Sequence, residues 1–203
     1  MYMKDLVPVL NLFYNGRMKV IFLDHDGVIC LYEQHGGRFK KKKKFRKENP
    51  TSGNVPVEYR FDNFDKKCLR VLNSILEETG AEIVVSSDWW RFCNLEEMCE
   101  YYRLQGIIKM PIDFTSVCPI PPEDLVVPGD ELEESRSWEI NKWLSEHPEV
   151  THWVAIDDLD LSKKYGPISG NFSYGIENFV LTPRITEGIK QLGIKQKVLD
   201  FLK

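Results

Sequence analysis

Three short apolar runs in this chain each stop abruptly at oxygen-bearing side chains, and helical stretches separate them. Lys19–Leu23 stops at Asp24, Glu82–Val85 at Ser86-Ser87, and Trp153–Ile156 at Asp157-Asp158. Such runs read as buried strands. Phe179–Leu181 adds a shorter fourth. Helices are expected over Phe64–Glu78, with Leu69, Leu72, Ile75 and Leu76 at 3.6-residue spacing, and over Leu95–Leu104. Gly80 and Gly106 sit at their stop positions. A third helix runs to Leu144 with Ser135 or Ser137 as its cap, and a fourth covers Ile185–Leu202. Strands alternating with helices imply an α/β domain with a largely parallel sheet. Ligands of such sheets sit beyond the carboxyl ends of the strands. One edge should therefore gather Asp24, Ser86 and Asp157.

The chemistry lies in Val20-Ile21-Phe22-Leu23-Asp24-His25-Asp26-Gly27-Val28. The strand delivers one carboxylate at its tip, a second follows two residues later, and glycine permits a sharp exit. Phosphoryl transfer uses this arrangement. Asp24 would be the nucleophile, forming an aspartyl-phosphate. Asp26 would protonate the leaving oxygen and then deprotonate water. Carboxylates crowded against a phosphate call for a cation, and Mg²⁺ with hard oxygen ligands suits them.

Asp24-His25-Asp26-Gly27-Val28 resembles motif I, DxDG[TV], of the haloacid dehalogenase-like (HAD) superfamily. The other motifs follow in the family's order. Ile83-Val84-Val85-Ser86 matches motif II, with Ser86 62 residues after Asp24. Arg136, 21 residues before Asp157, fits motif III, with Lys109 and Lys142 as possible substitutes. Trp153-Val154-Ala155-Ile156-Asp157-Asp158 matches motif IV. A closer likeness is carried by Ser86-Ser87-Asp88-Trp89-Trp90-Arg91, by Arg136-Ser137-Trp138-Glu139-Ile140-Asn141-Lys142-Trp143-Leu144 and by Ile156-Asp157-Asp158. These are similar to the S-S-x-W-R, R-x-x-E-I-x-x-W-L and L-D-D patterns of the HAD-like domains of Swiss Army Knife RNA repair proteins. The sequence departs from them in a second Trp before Arg91, and it lacks Gly-x-Thr-Pro near 111–118.

The resemblance implies a Rossmann-like three-layer sandwich around a mainly parallel sheet, capless, with a flap insertion. It implies a single domain over 1–203, with its core from about residue 19 and a flexible basic flap over about 33–60. It implies Asp24 as nucleophile and Asp26 as general acid/base, the latter also binding the metal through its carbonyl. Ser86 would bond a phosphoryl oxygen, with Ser87 able to take its place, and Arg136 would neutralise phosphoryl charge. Asp24, Asp26, Asp157 and Asp158 would hold Mg²⁺, and Arg91 would touch substrate phosphate or pair structurally. Trp89 and Trp90 would stack on a base or pack. His25 points away from the acids by strand alternation, and would meet substrate or pack.

Charge placement bears on the substrate. The net charge is −4, yet residues 38–47 carry eight cations and no acid. Without them 19 basic residues face 31 acidic ones. A run like this is a solvated loop or an electrostatic guide for a polyanion such as nucleic acid. Residues 27–63 leave no room for a large cap, so an open site is expected, fitting a nucleic-acid end or a nucleotide phosphate. A small phosphorylated metabolite, or a catalytically silent binding module on the same fold, are the alternatives.

Other classes fall away. No Cys is followed by Arg six positions on, and no G-x-x-x-x-G-K-[ST] loop is present. The five cysteines form no C-x-x-C pair, which argues against a disulfide framework or a zinc site. No apolar run approaches the roughly 20 residues of a membrane span, and Met1–Asp5 lacks a basic region leading into an apolar one. A cytoplasmic location is expected.

Overall fold

The computed structural model describes residues 18–32, 36–115, 131–162 and 175–203. Residues 1–17, Cys118 and the prolines that follow it lie outside the described residues, as does the start of the expected flap. Five parallel strands form one sheet: β1 (Met18–Leu23), β2 (Glu82–Val85), β3 (Pro111–Phe114), β4 (Val150–Asp157) and β5 (Phe179–Leu181). Their order is β3-β2-β1-β4-β5. The helices are α1 (Gly37–Glu48), α2 (Lys66–Thr79), α3 (Leu95–Gln105), α4 (Glu131–Glu146) and α5 (Ile194–Phe201).

Strand alternation splits the core. Ile21 and Leu23 pack with Leu72 and Ile75 of α2, Tyr101 and Tyr102 of α3, and Val198 of α5. Val20 and Phe22 pack on the other face with Ile140 and Trp143 of α4. The result is the expected three-layer sandwich. With both faces covered, β1 is almost continuously apolar, as buried parallel strands are. Asp65 caps α2 by accepting from the amides of Lys67 and Cys68, each at 2.9 Å. Asn94 and Glu97 form a reciprocal capping box on α3.

Several sequence expectations need correction. The lysine run is a helix, α1, not an irregular loop. Lysine and arginine are good helix formers, and the helix is tied down from outside. Asp62 accepts from the amides of Gly36 and Arg38 at its N-terminus. Lys41 Nζ donates to the carbonyls of Glu58 and Phe61 and to Asn63 Oδ1. Strand β3 is absent from the four strands expected; it is a four-residue edge strand that opens with proline, a position where a missing N–H is tolerated. Helix α4 starts at Glu131, so Ser135 and Ser137 lie inside it and do not cap it. The C-terminal stretch divides into a 3₁₀ turn (Gly188–Lys190) and α5, with Gly193 at φ +86° between them.

Candidate active site

The sheet order reverses at β1, so the chain leaves a crevice between the carboxyl ends of β1 and β4. Register decides what lines it. Leu23 pairs with Val85 on one side and Ile156 on the other. The next residues therefore stand abreast as Ser86, Asp24 and Asp157. The amide of Ser86 donates to Leu23 at 3.0 Å and that of Asp24 to Ile156 at 3.1 Å, continuing the ladder one step past the strands. Thr115 and Thr182 extend the row at either end through amide bonds to Val85 and Asp157, each at 2.9 Å.

Asp24, Asp157 and Asp158 bring one carboxylate oxygen each to within 4.8 Å of one another. Glycine makes this possible. Gly27 has φ +72°, and a Cβ there would lie 2.3 Å from Asp158 Oδ2. Only a residue without a side chain lets Asp158 close on its neighbours. Such hard, close-set oxygens are a donor set that fits Mg²⁺.

One cation already stands among the acids. Arg136, reaching in from α4, donates through Nη1 to Asp24 Oδ1 at 3.1 Å and Asp157 Oδ2 at 3.0 Å. The same nitrogen donates to the carbonyl of Ser86. Glu139 Oε2 stands 4.0 Å from Arg136 Nε and accepts from Thr115 Oγ1 at 3.5 Å. Lys109 is engaged at the opposite edge with Glu82 and Gly80, and Lys142 pairs with Glu146 along α4. Of the three cations considered from the sequence, Arg136 is therefore the one in the crevice.

Burial dominates the titration of this cluster. It pushes Asp24 up to about 6 although Arg136 pulls the other way, with Asp158 adding to the rise. Burial and then Asp24 raise Asp157 well above the usual carboxylate range. Burial also raises Asp158. Against burial, Asp157 and Asp24 hold Arg136 charged. Among the described residues one guanidinium faces three carboxylates, so this cluster favours protons or a further cation.

Asp26 stands outside the three-acid set, and its Oδ2 accepts from Trp89 Nε1 at 2.9 Å. The indole is only 1% exposed. It stacks on Phe61 (4.5 Å between centroids, 3° between planes) and on Phe64 (5.5 Å, 19°). Trp89 is thus not a base-stacking platform, because its faces are already covered; it orients Asp26. His25 is likewise no substrate contact. It is fully buried, bonds Tyr102 Oη through Nε2 at 2.7 Å and lies edge-on to Trp89. Burial, followed by Arg136, lowers its pKa to about 3, which keeps it neutral.

Ser86 is buried beside Asp24, and its Oγ has no hydrogen-bond partner among the described residues. The neighbouring Ser87 side chain favours the ionised form of Asp24, opposing the effect of burial. Arg91 lies on the exposed 3₁₀ turn Asp88–Phe92, 3.6 Å from Asp88 and over the Trp90 ring at 5.1 Å. No described contact draws it into the carboxylate cluster. Sequence reasoning missed Glu139, Thr115 and the Trp89 bond to Asp26. Glu139 alone left a sequence signal, standing three residues beyond Arg136 on one helix face.

Neither a curated protein nor a solved structure gives a significant match to this chain. The sequence profile described as the HAD domain in Swiss Army Knife RNA repair proteins matches residues 20–176, over three quarters of the length. With the parallel sheet and the acids at its switch point, this match shows that the chain belongs to that family of HAD domains.

Proposed function

We propose that this chain is a Mg²⁺-dependent phosphohydrolase that works through an aspartyl-phosphate on Asp24 and acts on phosphorylated nucleic-acid ends. The observation that carries the reading is the cluster of Asp24, Asp157 and Asp158 around Arg136, two residues from an Asp26 held by Trp89. The nucleic-acid part draws on the cationic helix α1 and on the family's description, which places its members in RNA repair proteins.

The residues divide the work as follows. The Asp24 carboxylate attacks phosphorus, and the bond to the leaving oxygen breaks. Asp26 gives that oxygen its proton. Water then attacks the phosphorus of the aspartyl-phosphate, Asp26 takes the proton back, and Asp24 is released with inorganic phosphate. Ser86 Oγ donates to a phosphoryl oxygen, and Arg136 offsets phosphoryl charge while keeping Asp24 aimed. Mg²⁺, held by Asp24, Asp157, Asp158 and the Asp26 carbonyl, would supply the remaining positive charge.

The test is phosphate release from p-nitrophenyl phosphate, nucleotides, and 3′- or 5′-phosphorylated oligonucleotides, with and without Mg²⁺. Asp24→Asn is the blank. Release that needs Mg²⁺, favours one oligonucleotide end and vanishes in the blank is the expected result. Folded protein that releases nothing from any of these substrates would overturn the reading in favour of a binding module.

A further inference from the structure

The geometry points to a second site: a groove between α1 and the 88–92 turn that binds single-stranded nucleic acid beside the reaction centre. The proposal rests on the reading above that the substrate is a nucleic-acid end, and it names how the strand behind that end is held.

The groove has a volume of about 350 Å³ and is lined by Arg38, Phe39, Lys42, Arg60 and Phe92. Its two phenyl rings are in water, Phe39 68% and Phe92 56% exposed. Three cations stand around them. Arg38 lies over the Phe39 ring at 5.4 Å. Arg60 donates to the Phe92 carbonyl at 2.8 Å and is clamped by Glu97, which offsets one of the three charges. Helix α1 buries no residue, so none of its cations is enclosed in the core.

This pairing of rings with cations selects the occupant. An acidic peptide would satisfy the cations and leave the rings wet. A duplex would do the same, because its bases are stacked on one another. A single strand satisfies both, with phosphates on Arg38 and Lys42 and unstacked bases on Phe39 and Phe92. The groove is also held in place. Asp62 and Lys41 fix α1, and Phe45 of α1 packs on Tyr59 at 4.8 Å. Phe61, next to Arg60, stacks on the Trp89 that holds Asp26. Two stacked rings, Phe61 and Trp89, thus connect the Arg60 side of the groove to the general acid.

The test is fluorescence anisotropy with dye-labelled, unphosphorylated oligonucleotides of about 12 nucleotides, single-stranded RNA, single-stranded DNA and duplex. The expected result is that a Phe39→Ala/Phe92→Ala variant loses about tenfold or more in single-strand affinity and keeps its duplex affinity. Lys42→Ala should weaken binding of every strand and reduce the salt slope by about one. Phe39→Leu/Phe92→Leu keeps the apolar bulk and removes the ring faces, so it guards against an effect of folding alone. Unchanged single-strand affinity in both double variants would overturn the proposal, as would displacement of the strand by polyglutamate at matched charge. The RNA and DNA arms decide which strand the groove prefers. Turnover of p-nitrophenyl phosphate, followed in the same variants, separates the two readings. In the double variants, lost strand binding with turnover intact is the expected result. In the unsubstituted protein, turnover without single-strand binding overturns the groove alone, and single-strand binding without turnover of any substrate overturns the phosphohydrolase alone.

Discussion

Taking protons away from the acid cluster should be the main cost of loading it with metal. Asp24 titrates at about 6 through burial, against an ordinary value of 3.8. Its raised value means that the protonated form is the one the metal-free fold prefers. The stabilisation it gives is complete below the ordinary value and is lost as pH rises through about 6. A bound divalent cation needs the ionised form, so cation and proton compete. With one proton displaced at about 6, Mg²⁺ affinity at about pH 5 should be roughly tenfold weaker than at about pH 7.5, or ~1.4 kcal/mol. Asp157 is raised further, so its own proton makes the loss larger. The assay is calorimetric titration of Mg²⁺ into metal-free protein at several pH values, repeated in two buffers of different ionisation enthalpy to count released protons. His25 stays neutral over this range and does not enter the count. Asp24→Asn should release fewer protons and bind more weakly. Equal affinity at both ends of the range, with no proton released, would refute the reasoning and remove Asp24 from the ligand set.

Three other outcomes follow from particular contacts. Trp89→Phe keeps the ring stack but removes the bond that orients Asp26; with the general acid misplaced, kcat should fall about 10- to 100-fold in steady-state assays, and loss of the buried bond should lower the melting temperature by a few degrees. Gly27→Ala places a Cβ 2.3 Å from Asp158 Oδ2 at φ +72°; left-handed strain of ~1–2 kcal/mol should lower the melting temperature, and Mg²⁺ affinity should drop as Asp158 is pushed aside. The His25 ring resonances should hold their neutral positions from about pH 8 to about pH 5; because its pKa is lowered, its share of stability is present above about 6.5 and falls away in acid, by ~1.4 kcal/mol per pH unit, and a midpoint near 6.5 in the folded protein would sink this account.

Local signals in the sequence reached the strands that carry the chemistry, because an apolar run ending in Asp or Ser is a property of a few consecutive residues. Strand β1, its acids and the amphipathic α2 were legible for that reason. Strand β3 was not, since four residues opening with proline leave no periodic pattern. Helix α1 was misread because a lysine run shows no apolar face, and its order comes from Asp62 and Asn63 some twenty residues away.

The sequence by itself determined which side chains end the strands, and thus that Asp24, Ser86 and Asp157 would meet on one edge of a parallel sheet. It could not decide which cation joins them. Arg136, Lys109 and Lys142 are similar in composition and differ only in where the fold sends them: Arg136 inward from α4, Lys109 to the far edge, Lys142 to solvent. Nor could it assign Trp89, whose role depends on rings from Phe61 and Phe64 closing over its faces and turning its N–H toward Asp26. Strand ends are set by neighbours in the chain, whereas partners of buried charges are set by packing between elements far apart in it, and only the tertiary structure brings those together.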